Sequence, residues 1–176
     1  MENQDAHSDN LEVYSQIEEQ KVISLGNFII LCIASFGLYS IWWIYKEWRF
    51  FQQKDNLDIM PAARAIFSII FLIPLFNKIL TFAKKKGYTQ HYSSTLLFIG
   101  FFIGNLLSSL PDPLWLISIF SFVFFIPPFN AINYAKQNSN EFIVTQQDVF
   151  SGRQIGLIII GLILWILILL GMFMTI

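Results

Sequence analysis

Side chains that could perform acid–base chemistry lie together directly after the first long apolar block of the sequence. They are Lys46, Glu47, Arg49, Asp55, Asp58 and Arg64. A membrane hydrolase or transferase would gather carboxylates, histidine or arginine near the membrane interface in this manner. None of these residues stands at a recognisable catalytic spacing. We therefore expect no catalytic residues and no enzymatic activity.

Histidine and cysteine are too sparse in the sequence to form a metal or cofactor site. The two histidines, His7 and His91, are far apart, and the sequence has neither an HExxH motif nor a Gly-rich phosphate loop. Cys32 is the single cysteine, so the chain can form neither an internal disulfide nor a cysteine metal cluster. The net charge of −1, without a basic aromatic motif, argues against nucleic-acid binding. We expect no metal, no cofactor and no nucleic-acid partner.

Basic side chains that border the apolar blocks are candidates for contact with lipid headgroups. They are Lys46, Arg49, Lys84, Lys85 and Lys86. An anionic membrane surface attracts each such residue by about 1 kcal/mol. The same residues would also supply the positive-inside signal of a multi-pass protein. We favour this simpler role, since Glu47, Asp55 and Asp58 dilute the positive charge.

The composition indicates a membrane protein, because 55% of the residues are hydrophobic and only 13% are charged. Ordinary soluble domains have about 25% charged residues. Four blocks contain no Lys, Arg, Asp or Glu: residues 22–45, 87–110, 113–135 and 154–176. A hydrocarbon core about 30 Å thick requires roughly 20 apolar residues in a helix. Each block is therefore long enough to cross a membrane.

A fifth apolar block, residues 65–77, is shorter and contains Pro74, which kinks a helix. Five crossings with the N-terminus inside would place seven of the eleven Lys and Arg residues inside. If this block returns to the side it came from and the N-terminus lies outside, ten lie inside and only Lys21 outside. The second distribution satisfies the positive-inside rule far better.

We therefore predict an all-α, multi-pass transmembrane helical bundle. Its four crossings would lie near residues 25–45, 92–110, 113–131 and 154–175, with a short non-crossing helix near residues 62–83 on the basic side. Five crossings are the alternative. Residues 1–20 contain six acidic and no basic residues, unlike a signal or transit peptide. We expect residues 1–21 to be an acidic, disordered tail and residues 22–176 to be a single transmembrane helical domain with both termini outside.

Small residues in the third uncharged block could mediate helix packing. Gly100, Gly104 and Ser108 lie on one face of a helix, where two backbones can approach closely, and Asn105 lies beside them. Self-association is one interpretation, but packing within the same chain is the one we favour. Pro127 and Pro128 offer a similar choice, between a broken helix of the kind transporters use and a kink at the membrane border. We favour the kink.

The run from Phe36 to Trp48 has the sequence FGLYSIWWIYKEW, and residues 61–67 have the sequence PAARAIF. Both resemble a family of small bacterial multi-pass inner-membrane proteins classed as a domain of unknown function, whose first span ends in a Gly-Leu-Tyr-x-x-Trp-x-Tyr-Lys pattern. Pro127, Pro128, Ile132 and Asn133 also resemble the end of that family's penultimate hydrophobic segment. The resemblance implies a bacterial inner-membrane location and no established activity.

Three functional hypotheses follow. The first is a non-enzymatic integral membrane protein that acts through contacts with the lipid bilayer, with other membrane proteins or with further copies of itself. The second is a small oligomeric channel or transporter. The third is a lipid-modifying membrane enzyme.

Overall fold

A computed structural model describes residues 17–174, apart from the side chain of Phe173. Within these residues the chain forms seven α-helices and two short strands. The helices are α1 (Leu25–Ala34), α2 (Leu38–Lys54), α3 (Pro61–Ile66), α4 (Ser68–Lys85), α5 (Ser94–Leu106), α6 (Ile126–Gln137) and α7 (Gly152–Met174). The strands are β1 (Gln20–Ile23) and β2 (Val144–Gln147), and two 3₁₀ helices cover Leu107–Ser109 and Leu114–Phe125. This predominance of helix confirms the all-α prediction.

The first predicted crossing, residues 25–45, is interrupted by a turn. Phe36 and Gly37 have left-handed backbones, with φ angles of 52° and 83°. The N–H of Gly37 donates to the Cys32 carbonyl at 2.8 Å, and the N–H of Phe36 donates to the Ile33 carbonyl at 3.3 Å. This is the hydrogen-bond pattern of a Schellman motif, which ends a helix. The Ser35 side chain then accepts from the N–H of Tyr39 at 2.9 Å, near the start of α2.

Helix α2 runs back alongside α1. The ring of Phe28 in α1 lies 6.0 Å from the rings of both Tyr39 and Trp43 in α2. In one straight helix, residues 28 and 43 would be about 22 Å apart at 1.5 Å per residue. Glu18, which precedes β1, donates from its N–H to the Gln53 side chain at 3.2 Å. The prediction of a single crossing helix over residues 25–45 is therefore wrong, because the chain turns back at Phe36 and Gly37.

The segment predicted as a non-crossing helix, residues 62–83, forms α3 and α4, which meet at Phe67. The guanidinium of Arg64 in α3 stacks over the Trp48 ring at 4.3 Å and over the Phe71 ring at 5.0 Å. Further along α4, Lys78 forms a 2.5 Å ion pair with Asp55, which follows α2. Both the start and the end of this segment therefore lie beside the C-terminal half of α2. Pro74 lies inside α4.

Helix α5 and the long 3₁₀ helix form an antiparallel hairpin. A Cβ on Gly100 would overlap the Phe124 ring, and a Cβ on Gly104 would lie 2.9 Å from the Ser121 Cβ. At the base of this hairpin Phe125 is fully buried, and its ring lies 5.7 Å from Trp43, 5.5 Å from Phe76 and 5.0 Å from Phe101. Rings from α2, α4 and α5 thus meet at Phe125, which marks the aromatic core.

Two helical segments in the described part of the chain are long and apolar enough to cross a membrane. They are Leu114–Gln137, which joins the long 3₁₀ helix to α6, and Gly152–Met172 in α7. The apolar helices Leu25–Ala34 and Ser94–Ser109 are shorter. Of the four crossings predicted from the sequence, two therefore lie in helices that are too short to cross. The predicted crossing at residues 25–45 is shortened because the chain turns after Ala34. The predicted crossing at residues 92–110 is shortened because its helix starts only after the N-cap Ser93 and ends before Pro111.

Strands β1 and β2 pair in parallel, with Gln20 opposite Val144 and Ile23 opposite Gln147. Because β1 leads into α1 and β2 leads into α7, the two helices run side by side in the same direction. Gly161 meets Ala34 so closely that a Cβ there would overlap the Ala34 carbonyl. The indole N–H of Trp165 donates to the Ile33 carbonyl at 3.1 Å. Helix α7 thus packs on the last turn of α1 and continues past it.

The predicted acidic tail, residues 1–21, is described only from residue 17 onward. Ile17 is buried, Glu18 forms an ion pair with Arg49, and the predicted boundary at residue 21 falls inside β1. Residues 1–16 lie outside the described part of the chain.

The charged side chains lie at one end of the molecule. Helices α2, α4 and α6 approach each other at this end, where Glu141 forms 2.6 Å ion pairs with Lys54 and Lys86. β1, β2 and the start of α7 lie at the same end, which adds Lys21 and Arg153 to it. The opposite end consists of the α1–α2 turn, the 110–113 turn and the C-terminal half of α7. Asp112 is the one charged residue at that end in the described part of the chain.

Candidate functional site

A cavity of about 680 Å³ opens at the charged end of the molecule. Helices α2 and α6 form one side, and β1, β2 and the first turn of α7 form the other. Its volume falls within the range of small-molecule sites, about 300–1,000 Å³. The cavity is therefore large enough for a small ligand or for the headgroup of a lipid.

The inner wall of the cavity is mainly aromatic and aliphatic. Its apolar side chains are Ile23, Leu38, Tyr39, Trp42, Trp43, Phe129 and Leu157. Trp42 and Trp43 precede Lys46 and Glu47 by four residues on α2, so each aromatic residue shares a helix face with a charged one. Helix geometry thus brings a charged group to the mouth of the cavity next to an apolar wall.

Four cations and one carboxylate line the cavity: Lys21, Lys46, Lys136, Arg153 and Glu47. The Nζ atom of Lys136 donates to Glu47 Oε2 at 2.7 Å and to Oε1 at 3.0 Å. Both side chains are only 6% exposed. The ammonium of Lys136 also lies 4.7 Å from the centre of the Phe50 ring. Lys136 and Glu47 therefore neutralise each other and leave three cations to face the cavity.

Lys21, Lys46 and Arg153 have no carboxylate within 4.0 Å among residues 17–174. Elsewhere in the same residues, Arg49, Lys54, Lys78 and Lys86 each pair with a carboxylate. The three cations that line the cavity are thus a local excess of positive charge. Such an excess attracts an anion, and apolar walls strengthen the attraction because they lower the local dielectric constant.

The environment of Lys46 adds to this electrostatic imbalance. The Lys46 side chain lines the cavity, and the surrounding protein atoms disfavour its charged form. Repulsion from Lys136 acts in the same direction, and Glu47 and Glu18 oppose it. The net effect lowers the pKa of Lys46 from its ordinary value of 10.5. An anion bound beside Lys46 would offset both unfavourable effects.

Hydrogen bonds between elements hold the polar rim of the cavity. The Gln154 side chain donates to the Tyr39 hydroxyl at 3.2 Å and accepts from Gln147 at 2.6 Å. The Asn133 side chain donates to the Ile23 carbonyl at 3.1 Å. These bonds connect α7 to α2 and to β2, and α6 to β1. The cavity therefore has a preformed shape.

A second cavity of about 500 Å³ lies at the same end of the molecule. It contains Lys54, Lys78, Lys85 and Lys86, and all of these except Lys85 pair with Glu141 or Asp55. Burial disfavours the ionised Glu141 carboxyl, yet hydrogen bonds from Lys54 and Lys86 outweigh burial and lower its pKa. In this cavity, carboxylates of the protein itself occupy positions beside the lysines where a bound anion would otherwise lie.

The structure separates the five predicted headgroup residues. Lys46 lines the larger cavity, whereas Arg49 pairs with Glu18 and donates to the Tyr45 hydroxyl at 3.1 Å. Lys84 and Lys85 are exposed, and Lys86 pairs with Glu141.

Among the predicted packing residues, Gly100 and Gly104 face the long 3₁₀ helix of the same chain. Ser108 is exposed, and Asn105 donates to the Phe101 carbonyl of its own helix at 2.8 Å. His91 is exposed, and His7 lies outside the described residues.

Sequence reasoning missed Lys21, Lys136 and Arg153 as site residues. They lie in three separate parts of the sequence and meet Lys46 only through the parallel β1–β2 pair and the packing of α6 on α2. The one signal for this site in the sequence was the four-residue spacing between Trp42 and Lys46, which places an aromatic and a charged side chain on the same face of a helix.

Comparisons with protein-family models, with curated proteins and with solved structures found no match to this chain. Within residues 17–174, no group of three or more His, Cys, Asp and Glu side chains is placed to hold a metal ion.

Proposed function

We propose that this protein is a non-enzymatic integral membrane protein that acts through contacts with lipids at one face of the bilayer. The observation that supports this most strongly is the separation of charge along the molecule. Lys21, Lys54, Lys86 and Arg153 lie at one end, and the hairpin of α5 and the long 3₁₀ helix presents large apolar side chains such as Ile103 and Phe120 to the surroundings. A soluble protein rarely exposes apolar patches of such extent.

In this proposal, the chain enters the bilayer from the side of its basic end. α1 and α2 form a hairpin that enters partway, α3 and α4 return to the same side, and the hairpin of α5 and the long 3₁₀ helix reaches deeper. α7 crosses completely, since its 23 residues extend about 34 Å. The resemblance to bacterial inner-membrane proteins supports that membrane as the location.

The orientation we propose differs from the outer N-terminus expected from the sequence. Because α2 turns back beside α1, β1 lies on the same side as the loop after α2. Lys21 then joins the other ten cations on one face, and the positive-inside rule makes that face cytoplasmic. The N-terminal side of β1 is therefore cytoplasmic, and the end of α7 lies on the opposite side.

Membrane extraction tests the proposal. Carbonate at high pH releases peripheral proteins but leaves integral ones in the membrane, and we expect the full chain to stay there. Removal of α7 together with the 94–125 hairpin should release the rest. Complete release of the intact chain by carbonate would contradict the proposal.

A small oligomeric transporter is the second candidate. The observation that favours it is the buried ion pair of Glu47 and Lys136, because ionisable residues at membrane depth often mark transport pathways. Flux of ions or small solutes into vesicles that contain the purified protein, absent from the double variant Glu47→Gln/Lys136→Met, would support transport. Equal flux in both proteins, or no flux in either, would count against it.

A further inference from the structure

We propose that the larger cavity binds a phosphate group carried by an amphiphile, with the phosphate among Lys21, Lys46 and Arg153 and the apolar part on the aromatic wall. This inference rests on the proposed function and names the lipid that is contacted and the place of contact. Three steps lead to this ligand: the free positive charge, the apolar wall and the way into the cavity.

The first step is the comparison of the two cavities. Both lie at the charged end of the molecule and both contain several lysines. In the smaller one, four lysines face two carboxylates, and three of the lysines pair with them. In the larger one, the single carboxylate, Glu47, is taken by Lys136. Among the described residues, the lining of the larger cavity therefore has more net positive charge, and an added anion is attracted to it more strongly than to the smaller one.

The second step is the chemistry of the wall behind these cations. A site for free phosphate needs polar donors on most sides, since phosphate carries oxygens in every direction. Here the exposed apolar lining is Leu38 and Trp42 of α2, whereas the rings of Trp43 and Phe129 are almost completely buried. The exposed side chains offer contact surface for methylene groups, and the indole N–H of Trp42 is the one donor they carry. The ligand that satisfies both parts carries an anion at one end and hydrocarbon at the other.

The third step is access from the bilayer. Leu38 and Trp42 line the cavity and are also 61% and 46% exposed. Ile41, one residue away on the same helix, is 44% exposed. The cavity wall thus continues into the outer apolar surface of α2. A lipid can place its headgroup in the cavity while its chains remain in the bilayer.

The Glu47–Lys136 pair makes this site prefer an anionic ligand to a cationic one. Because Lys136 holds Glu47 with two hydrogen bonds, the carboxylate is not available to attract a cationic headgroup. The remaining cations repel an ammonium group. We therefore expect phosphatidylglycerol to bind more tightly than phosphatidylcholine, since both carry a phosphate but only the second carries a neutralising ammonium.

The experiment uses the full-length protein, purified in a neutral detergent, and measures lipid binding by native mass spectrometry. Three probes are compared: phosphatidylglycerol, phosphatidylcholine and inorganic phosphate. We expect phosphatidylglycerol to bind at least about tenfold more tightly than phosphatidylcholine, a difference of about 1.4 kcal/mol. Inorganic phosphate should not compete at the same concentration. Competition by inorganic phosphate as strong as that by the lipid would overturn the amphiphile assignment in favour of a free-phosphate site.

Two matched double variants locate the site. Lys46→Gln/Arg153→Gln removes two cations from the cavity, and Lys84→Gln/Lys85→Gln removes two exposed cations from the end of α4. We expect the first variant to lose the preference for phosphatidylglycerol and the second to keep it within about twofold. Equal losses in both variants would show attraction to surface charge in general and would overturn the assignment of the site.

A third variant tests the apolar wall, and a control separates binding from folding. Trp42→Ala should weaken phosphatidylglycerol binding, since Trp42 lies between the cavity and the outer surface of α2. Each variant is scored only if its unfolding temperature stays close to that of the original protein. If a double variant fails this condition, the single change Lys46→Gln replaces it. No preference for phosphatidylglycerol in a protein that carbonate leaves in the membrane would overturn this inference alone, whereas carbonate release would overturn the proposed function.

Discussion

Lys136 near the end of α6 and Glu47 in α2 form a bidentate ion pair, with Nζ 2.7 Å and 3.0 Å from the two carboxylate oxygens. The residues are separated by 89 positions in the sequence, and both side chains are 6% exposed. The pair fixes α6 against α2 beneath the cationic cavity. Because both side chains are buried, water cannot solvate either charge when its partner is removed.

Lys136→Met should therefore destabilise the protein strongly. It leaves the Glu47 carboxylate buried without a partner, and breaking a buried pair in this way costs about 3–5 kcal/mol. The double variant Glu47→Leu/Lys136→Met should recover most of this loss, because it leaves no unpaired charge. Unfolding in detergent measures both effects.

Arg49→Met is the control for the buried pair. Arg49 pairs with Glu18, but the two side chains are 43% and 56% exposed, so the loss should be about 0–1 kcal/mol. A loss for Lys136→Met no larger than that for Arg49→Met would show that water reaches the Glu47–Lys136 pair.

Gly161→Ala should weaken the attachment of α7 to the rest of the protein. The new Cβ would overlap the Ala34 carbonyl, and backbone at the end of α1 cannot move aside as a side chain can. Overpacking of this kind costs about 1–3 kcal/mol. Gly156→Ala, five positions earlier on the same helix, is the matched control, since no atom lies within 4 Å of its Cβ position. It should be neutral or stabilising by up to about 1 kcal/mol, because alanine favours a helix. Equal unfolding temperatures for the two variants would contradict the packing of α7 on α1.

Acidification should remove the contribution of Glu141 to stability. Lys54 and Lys86 hold the pKa of Glu141 below its ordinary value of 4.5 in the folded protein. A lowered folded-state pKa means that the contribution is fully present above 4.5 and is lost as the pH falls through the lowered value. The unfolding temperature should therefore decline in that range, and Glu141→Gln should remove this part of the decline. An identical pH profile for the variant would contradict the three-residue cluster.

Binding of phosphatidylglycerol should weaken at an alkaline pH that is still too low to deprotonate ordinary lysines. Burial and Lys136 lower the pKa of Lys46 below 10.5, while Glu47 and Glu18 act in the opposite sense and Lys21 adds further repulsion. Lys46 therefore loses its charge at a pH below that value, and the bound phosphate loses one of its cations. Lys46→Arg should retain binding over this range, because arginine stays charged in proteins. The same alkaline loss in this variant would show that Lys46 does not contact the anion.

The helical class of this fold follows from its composition and from long uncharged blocks, and the structure confirms it. The number of long helices does not follow, because residues 22–45 contain no charge and no proline that would mark an interruption. The turn there depends on the left-handed conformation of Gly37. Glycine adopts this conformation readily, but a glycine in the sequence does not by itself predict it. Apolar periodicity alone does not distinguish one long helix from two that pack against each other.

Part of the candidate site could be found from the sequence. Lys46 stood out because it directly follows the aromatic end of an apolar block. Lys21, Lys136 and Arg153 did not, since each is an isolated cation in its own segment and only tertiary packing brings them together. The partner of Lys136 was equally hidden, because 89 residues separate it from Glu47. Pairings at such distances depend on topology, which local patterns do not specify.

Cysteine accessibility in oriented membrane vesicles tests the central claim most directly. In a Cys32→Ser background, single cysteines replace Lys21 before α1 and Asn56 after α2, and a membrane-impermeant thiol reagent is added from one side. We expect both positions to react from the cytoplasmic side, because the chain turns back at Phe36 and Gly37. Reaction of these two positions from opposite sides of the membrane would mean that residues 25–45 cross it, and would contradict the account.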